Sequence, residues 1–260
     1  MSNRIKQEFE EKQGPVRLNK YLSEAGVCSR READKLIESG RVSVDGQRAV
    51  TGMKVFPGQT VKVGKKTVSR QDEMVVLAVN KPVGIVCTEE RRERSSIVRF
   101  LNFPVRVTYV GRLDKDSRGL LLMTNNGDII NKMMRAGNFH EKEYKVTVDK
   151  EITPEFLKQM EGGVPILDTV TRPCRAEQIG KYTFSIILTQ GLNRQIRRMC
   201  EALGYQVRDL QRVRVMNIRL GNLKEGEYRR LTDEELNELY ELLKGSSNEP
   251  VRGKADRKKS

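Results

Sequence analysis

The sequence has no tryptophan and one histidine, His140, in 260 residues. A catalytic dyad or triad that uses His as base would have to use that residue alone. The four cysteines, Cys28, Cys87, Cys174 and Cys200, are far apart, with no CxxC pair and no Cys/His cluster. Four reduced thiols are therefore expected, with no metal site. Long apolar runs are also missing. Nothing approaches the ~18 residues of a membrane-spanning helix, and residues 1–19 carry charges where a signal peptide needs an apolar stretch. A soluble, cytoplasmic protein with no membrane partner is expected. There is no GxxxxGKS/T phosphate loop, no Rossmann glycine cluster after a strand and no GxSxG elbow. Nucleotide hydrolysis and redox chemistry are thus unsupported, and no cofactor is expected. Any working chemistry must come mainly from carboxylates, Arg, Lys and Tyr.

What the chain has in excess is positive charge: 49 Lys and Arg against 35 Asp and Glu, a net +14 and a pI near 9.7. That balance favours a polyanionic partner. The length suits one large or two modest domains at roughly 150 residues each, and is enough to bury about three-quarters of the unfolded surface without a metal or disulfide staple.

Residues 1–14 are polar and aperiodic and read as a flexible arm. Leu18, Tyr21, Leu22 and Ala25 then keep helical spacing up to Gly26. Ser29 and Glu32 have the spacing of a capping box, and Ala33, Leu36 and Ile37 continue an apolar face up to Gly40. Arg41 to Val44 alternates like a strand, with Asp45-Gly46 as a tight turn, and Val61 and Val63 alternate again. Residues 15–72 thus form a small α+β module. Its polar face carries Arg17, Lys20, Arg30, Arg31, Lys35 and Arg41. A charge run of this kind is usually a solvated helix face, but Arg30-Arg31 opens a helix and a glycine-punctuated hairpin follows at once.

Residues 65–73 read as a linker, and residues 73–244 as a second domain. Strand patterns fall at 74–79, 107–110, 144–148, 183–188 and 213–220. Helices are expected over 128–135, burying Ile129, Ile130, Met133 and Met134, from Pro154 to Gly162, over 193–203, and after the capping-box pair Thr232 and Glu235. Strands and helices do not alternate regularly, so the class is α+β. Residues 245–260 are basic, lack apolar periodicity and read as a disordered tail.

Two segments stand out chemically. Val110 to Thr124 runs from a strand into Gly111, then through a polar loop with Asp114 and Asp116 amid Arg112, Lys115 and Arg118, then into an apolar run. Loops at strand ends commonly carry sites, although both aspartates could simply make turn hydrogen bonds. The second segment, Gln190 to Met199, places Arg194, Arg197 and Arg198 at the start of a helix. Positive charge there opposes the helix dipole. Local stability does not explain it, but an anion would, either a phosphate or a carboxylate from elsewhere in the fold.

The string RLNKYLSEAGVCSRREADKLIESGRVSVDG resembles the S-four-type RNA-binding domain. GRLDKDSRGLLLMTNNG resembles the catalytic motif of pseudouridine synthases, with NKPVG, HEKEYKVTV and GLNRQIRRM resembling its companion motifs in the same order. The leading module matches the ribosomal RNA branch of that family, the RsuA family. The resemblance implies an S-four-type module followed by a mixed, mainly antiparallel sheet flanked by helices. It implies a cofactor-free isomerase acting on ribosomal RNA, with 23S rRNA of the large subunit as the expected target and a monomer as the default. Asp114 is then the nucleophile, Tyr144 stacks on a flipped-out target base, and Arg197 pairs with Asp114. The cations of the first module, with Arg112, Arg194 and Arg198, would contact RNA. His140 and Asp116 are assigned to structure. Two rivals stay open: a non-catalytic RNA-binding or ribosome-assembly protein, and a nucleoside hydrolase using Asp114 and Asp116 as an acid/base pair.

Overall fold

The computed structural model describes residues 14–69, 74–90 and 92–246. The expected arm, apart from Gly14, the linker residues 70–73, and the expected tail from residue 247 on lie outside the described residues. The chain forms two compact units. One ends at Val75 and also takes in Phe103–Val107 and Asn125–Gly127; the other comprises Val76–Asn102, Thr108–Thr124 and the chain from Asp128 onward.

The first unit contains β1 (Val16–Arg17), α1 (Leu18–Glu24), α2 (Arg30–Glu38), β2 (Val42–Val44), β3 (Gln47–Arg48), β4 (Lys54–Val55), β5 (Val61–Val63) and β6 (Lys66–Val68). The chain leaves α1 through Gly26 at φ +76°, where a side chain would clash with backbone. α2 starts with the capping box that its spacing predicts: Ser29 Oγ accepts from the Glu32 N–H at 3.3 Å and the Glu32 carboxylate accepts from the Ser29 N–H at 2.9 Å. Asp45 and Gly46 both have positive φ, matching the right-handed twist of the β2–β3 hairpin. Strands β3-β2-β5-β6 form one sheet and β1-β4 a separate pair. Leu18, Leu22, Ala33, Ile37, Val42, Val44 and Val61 form the core between the helices and these strands.

The second unit contains β7 (Val76–Lys81), α3 (Ile97–Leu101), β8 (Thr108–Tyr109), β9 (Arg118–Thr124), α4 (Gly127–Met134), β10 (Lys142–Val148), α5 (Pro154–Gly162), β11 (Pro165–Ile166), β12 (Thr169–Val170), β13 (Arg175–Gly180), β14 (Thr183–Leu188), α6 (Gln195–Ala202), β15 (Val207–Val215), β16 (Ile218–Arg219), β17 (Tyr228–Arg230) and α7 (Asp233–Lys244). Its nine-stranded sheet runs β13-β14-β10-β15-β9-β7-β17, with β8 on β9 and β16 on β15. Every pairing is antiparallel except β15 with β9. The fold is the α+β, mainly antiparallel architecture expected. Phe156 and Met160 of α5 and Ile196, Met199 and Cys200 of α6 pack on Val146, Phe184, Ile186 and Leu210 of the sheet. Among the described residues no helix is long and apolar enough to cross a membrane.

Three expectations shift. The strand predicted over 213–220 is two strands, with β15 beginning at Val207 and the turn at Met216, whose φ is +54°. The early half of β15 reads as polar because an inward position is held by Arg212, which is 2% exposed. In α4, Ile130 is half-buried and Met134 exposed, so the apolar face is narrower than its composition suggests. α6 begins at Gln195, because Arg194 is left-handed at φ +49°.

Across five strands of the sheet the register places Ile186, Tyr144, Arg212, Gly119 and Lys81 in one row. Gly119 has φ +103°, and a Cβ built there would lie 2.3 Å from the Arg212 carbonyl oxygen and 2.8 Å from its amide nitrogen. Neither backbone atom can yield without breaking the parallel β9–β15 pairing. Gly119→Ala should therefore lose at least ~3 kcal/mol, in the range of the severe backbone and overpacking substitutions. Gly46→Ala, also at positive φ but facing open space, should cost about 1 kcal/mol. Urea unfolding of both variants tests this; similar midpoints would mean that the sheet absorbs the methyl group.

Candidate active site

The loop from Gly111 to Ser117 joins β8 to β9 and is held from below by the segment that follows β7. The Leu113 N–H donates to Cys87 Sγ at 3.4 Å, and the Gly84 N–H donates to the Lys115 carbonyl at 2.8 Å. The Ser117 N–H donates to the Asp114 carbonyl at 3.1 Å, closing a turn. The two aspartates stand at different distances from Arg194, 3.9 Å for Asp114 and 3.0 Å for Asp116.

Asp116 is clamped by α6. Arg194 donates Nη1 and Nη2 to its two carboxylate oxygens at 3.0 Å each. Arg197 places Nε 3.3 Å from Oδ2, an ion pair whose N–H is not aligned for a hydrogen bond. Its Nη2 donates to the Asp116 carbonyl at 2.7 Å and to Ser117 Oγ at 3.4 Å, and its Nη1 to the Val207 carbonyl at 3.4 Å. The arginines at the start of α6 are thus balanced by a carboxylate from elsewhere in the fold. The fork–fork geometry is one that lysine could not reproduce.

The Asp114 carboxylate is half-exposed, and its ionic neighbour is Arg194, with Nη1 3.9 Å from Oδ2. The expected partner differs from the observed one: Arg197 engages Asp116 and Ser117, and Arg194 faces Asp114. Spacing alone could not separate these alternatives, because the aspartates are two residues apart and Arg194 lies within 4 Å of both. Arg198 bonds to Asn193, through Nε to its carbonyl at 3.1 Å and Nη2 to its side chain at 3.3 Å. Arg112 is exposed. In the first unit Arg17, Arg30, Arg31, Lys35 and Arg41 are exposed, while Lys20 is half-buried and 3.5 Å from Glu24. Tyr144 is half-buried, packed on the core of the second unit and in register with Arg212. His140 shares a 2.9 Å hydrogen bond with the Ser246 hydroxyl.

Sequence reasoning misses the buried cations behind the loop. Lys81 is 0% exposed and donates to the carbonyls of Pro82 and Ile85 at 2.8 Å each. Burial pushes its ammonium below the usual lysine range, and the nearby Cys87, Asp114 and Asp116 pull it back up. Arg212 donates Nε to the Leu120 carbonyl at 2.7 Å. Burial, helped by the Arg212 charge, lowers Lys142 to about 8. One signal does exist for Lys81: with Asn80 it ends a strand whose first four residues are apolar and read as buried.

Known proteins share this sequence and fold. Residues 75–202 match the family model described as RNA pseudouridylate synthase, and residues 16–61 that of the S4 domain. The chain is 54% identical over 245 residues to the dual-specificity RNA pseudouridine synthase RluF of Escherichia coli strain K12, covering 94% of this chain and 84% of the relative. The chain belongs to the RsuA family of RNA pseudouridine synthases. Ribosomal large subunit pseudouridine synthase B of Bacillus subtilis is 37% identical over 243 residues, covering 89% of this chain and 98% of that relative. A crystal structure of a pseudouridylate synthase superposes with a TM-score of 0.64 at 27% identity, covering 86% of this chain and 99% of the other. As a pseudouridine synthase the chain is an isomerase whose substrate is RNA, which removes the purely RNA-binding alternative.

The Asp116 clamp makes a pH signature. Burial alone would raise its pKa, but the hydrogen bond from Arg194 and the charges of Arg197 and Arg194 outweigh burial and hold it below the ordinary value. A carboxyl depressed by folding stabilises the native state above its unfolded pKa and loses that contribution as pH falls through the folded value. Asp116→Asn should therefore be less stable than the wild type at neutral pH, by no more than about 1 kcal/mol because the pair is half-exposed. The difference should close below roughly pH 4. Urea unfolding at both pH values measures it; a gap independent of pH would show that the clamp is not ionic.

Proposed function

We propose that Asp114 is the nucleophile for isomerising uridine to pseudouridine in ribosomal RNA of the large subunit. The enzyme would act as a cytoplasmic monomer on a base flipped out of its helix. The observation that carries the reading is the division of labour between the two aspartates. Asp116 has both carboxylate oxygens taken by Arg194, whereas Asp114, among the described residues, has one ionic neighbour at 3.9 Å and is half-exposed. Asp114 is the carboxylate with lone pairs to spare.

The reaction breaks the bond from ribose C1′ to N1 of uracil, turns the base and joins C1′ to C5. The proton leaves C5 and N1 gains one, so no redox partner or cofactor enters the balance. An ionised Asp114 can attack C1′ or take a proton from the ribose, with uracil leaving as an anion. Arg194 lies beside the Asp114 carboxylate at 3.9 Å, and Arg197 keeps the loop in place through Asp116 and Ser117. Tyr144 would offer an aromatic face to the extruded base, offsetting part of the stacking lost. Asp116 has both carboxylate oxygens hydrogen-bonded to Arg194, which disfavours it as the second carboxylate of a hydrolase pair. The names of the relatives, one acting on the ribosomal large subunit, and the S4 match support the ribosomal target.

Asp114→Asn should abolish isomerisation while changing RNA affinity by less than about two-fold, since volume and polarity are kept. The substrate is large-subunit ribosomal RNA from a strain lacking the gene, and the measurement is pseudouridine mapping alongside binding. Turnover above a trace in the purified variant would remove Asp114 from the reaction.

A further inference from the structure

Phe139 is a large apolar residue that the packing of the fold does not explain. The residue is 57% exposed, and its backbone is left-handed at φ +54° and ψ +31°. For an L-residue that conformation costs about 1–2 kcal/mol, and glycine or asparagine would adopt it more cheaply. Strain that burial does not offset is a pointer to function. The Arg172 guanidinium lies over the ring, 4.2 Å from its centroid, so the aromatic plane is held in place.

The ring also sits where two segments of the site meet. On one side Phe139 and His140 lead directly into β10 and Tyr144. On the other, the Arg172 N–H donates to Gln190 Oε1 at 3.0 Å, and Gln190 opens the segment that delivers Arg194 to Asp114. Lys142 pairs with Leu188, which brings the start of β10 and the end of β14 together at this point. Five residues of extended chain from Tyr144 span no more than roughly 16 Å, a distance of a few nucleotides. A plane within that distance of Tyr144 is in reach of a nucleotide that neighbours the target base.

We propose that Phe139 and Arg172 form a second base-binding subsite, in which an unpaired nucleobase flanking the target uridine stacks on the Phe139 ring and its phosphate meets the Arg172 guanidinium. The ring is ordered before RNA arrives, so little side-chain entropy remains to be lost on binding. The subsite rests on the functional reading above, because it needs an RNA strand running past Asp114.

The test uses the full-length protein and large-subunit ribosomal RNA from a strain lacking the gene. Phe139→Gly removes the ring and relieves the left-handed strain, so its melting temperature should equal or exceed the wild type. Its RNA affinity should fall by about 5- to 150-fold, the range measured for one base stacked on an aromatic. The slope of affinity against salt should stay unchanged, because no phosphate contact is lost. Phe139→Trp should restore affinity. Arg172→Gln should instead make the salt slope shallower by roughly one contact. A Phe139→Gly variant that binds and reacts like the wild type overturns the subsite, as does a loss that Trp does not restore. If the wild type itself leaves this RNA unmodified, the ribosomal target has failed, whatever Phe139 does.

Discussion

The pairing of Asp116 with Arg194 and Arg197 is the interaction on which the site depends. It ties a loop between two strands to the start of a helix. Without the carboxylate, Arg194, Arg197 and Arg198 would crowd positive charge onto the end of a helix whose dipole is already positive there. Without the arginines, the loop from Gly111 to Ser117 would keep only the backbone bonds to Gly84 and Asp114 and the weak contact to Cys87. The clamp uses up one aspartate and leaves the other for chemistry. Two similar side chains two residues apart thereby acquire different environments.

Beneath the clamp, the sheet carries unusual charge for its depth. Lys81 and Arg212 flank Gly119 in one row, both almost without solvent, and each satisfies part of its hydrogen-bonding capacity on backbone carbonyls. Burying cations without a matched carboxylate is costly. For Lys81 the negative groups that oppose part of this cost, Asp114 and Asp116, lie in the loop above. The floor and the loop therefore stabilise each other electrostatically. Gly119 is what lets this happen: with no side chain it allows β15 to come close enough for Arg212 to sit beside Lys81 in the row.

Much of this protein is legible in its sequence. The capping boxes at Ser29 and Thr232, the Asp45-Gly46 hairpin and Pro154 at the start of a helix are local devices, determined by side chains within three or four residues of one another, and each forms as its spacing predicts. The motif strings around Asp114, Tyr144 and the arginines of α6 identify the family, because four distinctive strings recur in one order along one chain.

Tertiary structure decided which groups meet. The first half of β15 is not legible as a strand, since a buried arginine such as Arg212 looks like a solvated one until its neighbours are known. Which aspartate Arg197 engages is decided by how the Gly111–Ser117 loop meets the start of α6, where Arg197 donates to the Asp116 carbonyl at 2.7 Å and to Ser117 Oγ at 3.4 Å. The meeting of Phe139 with Arg172, thirty-three positions later in the chain, depended on β10 and β14 pairing in one register. Sequence determines the short-range geometry because capping and turn formation are local competitions for backbone hydrogen bonds. Long-range contacts are settled by the sheet register, in which a shift of one residue would turn every side chain to the other face.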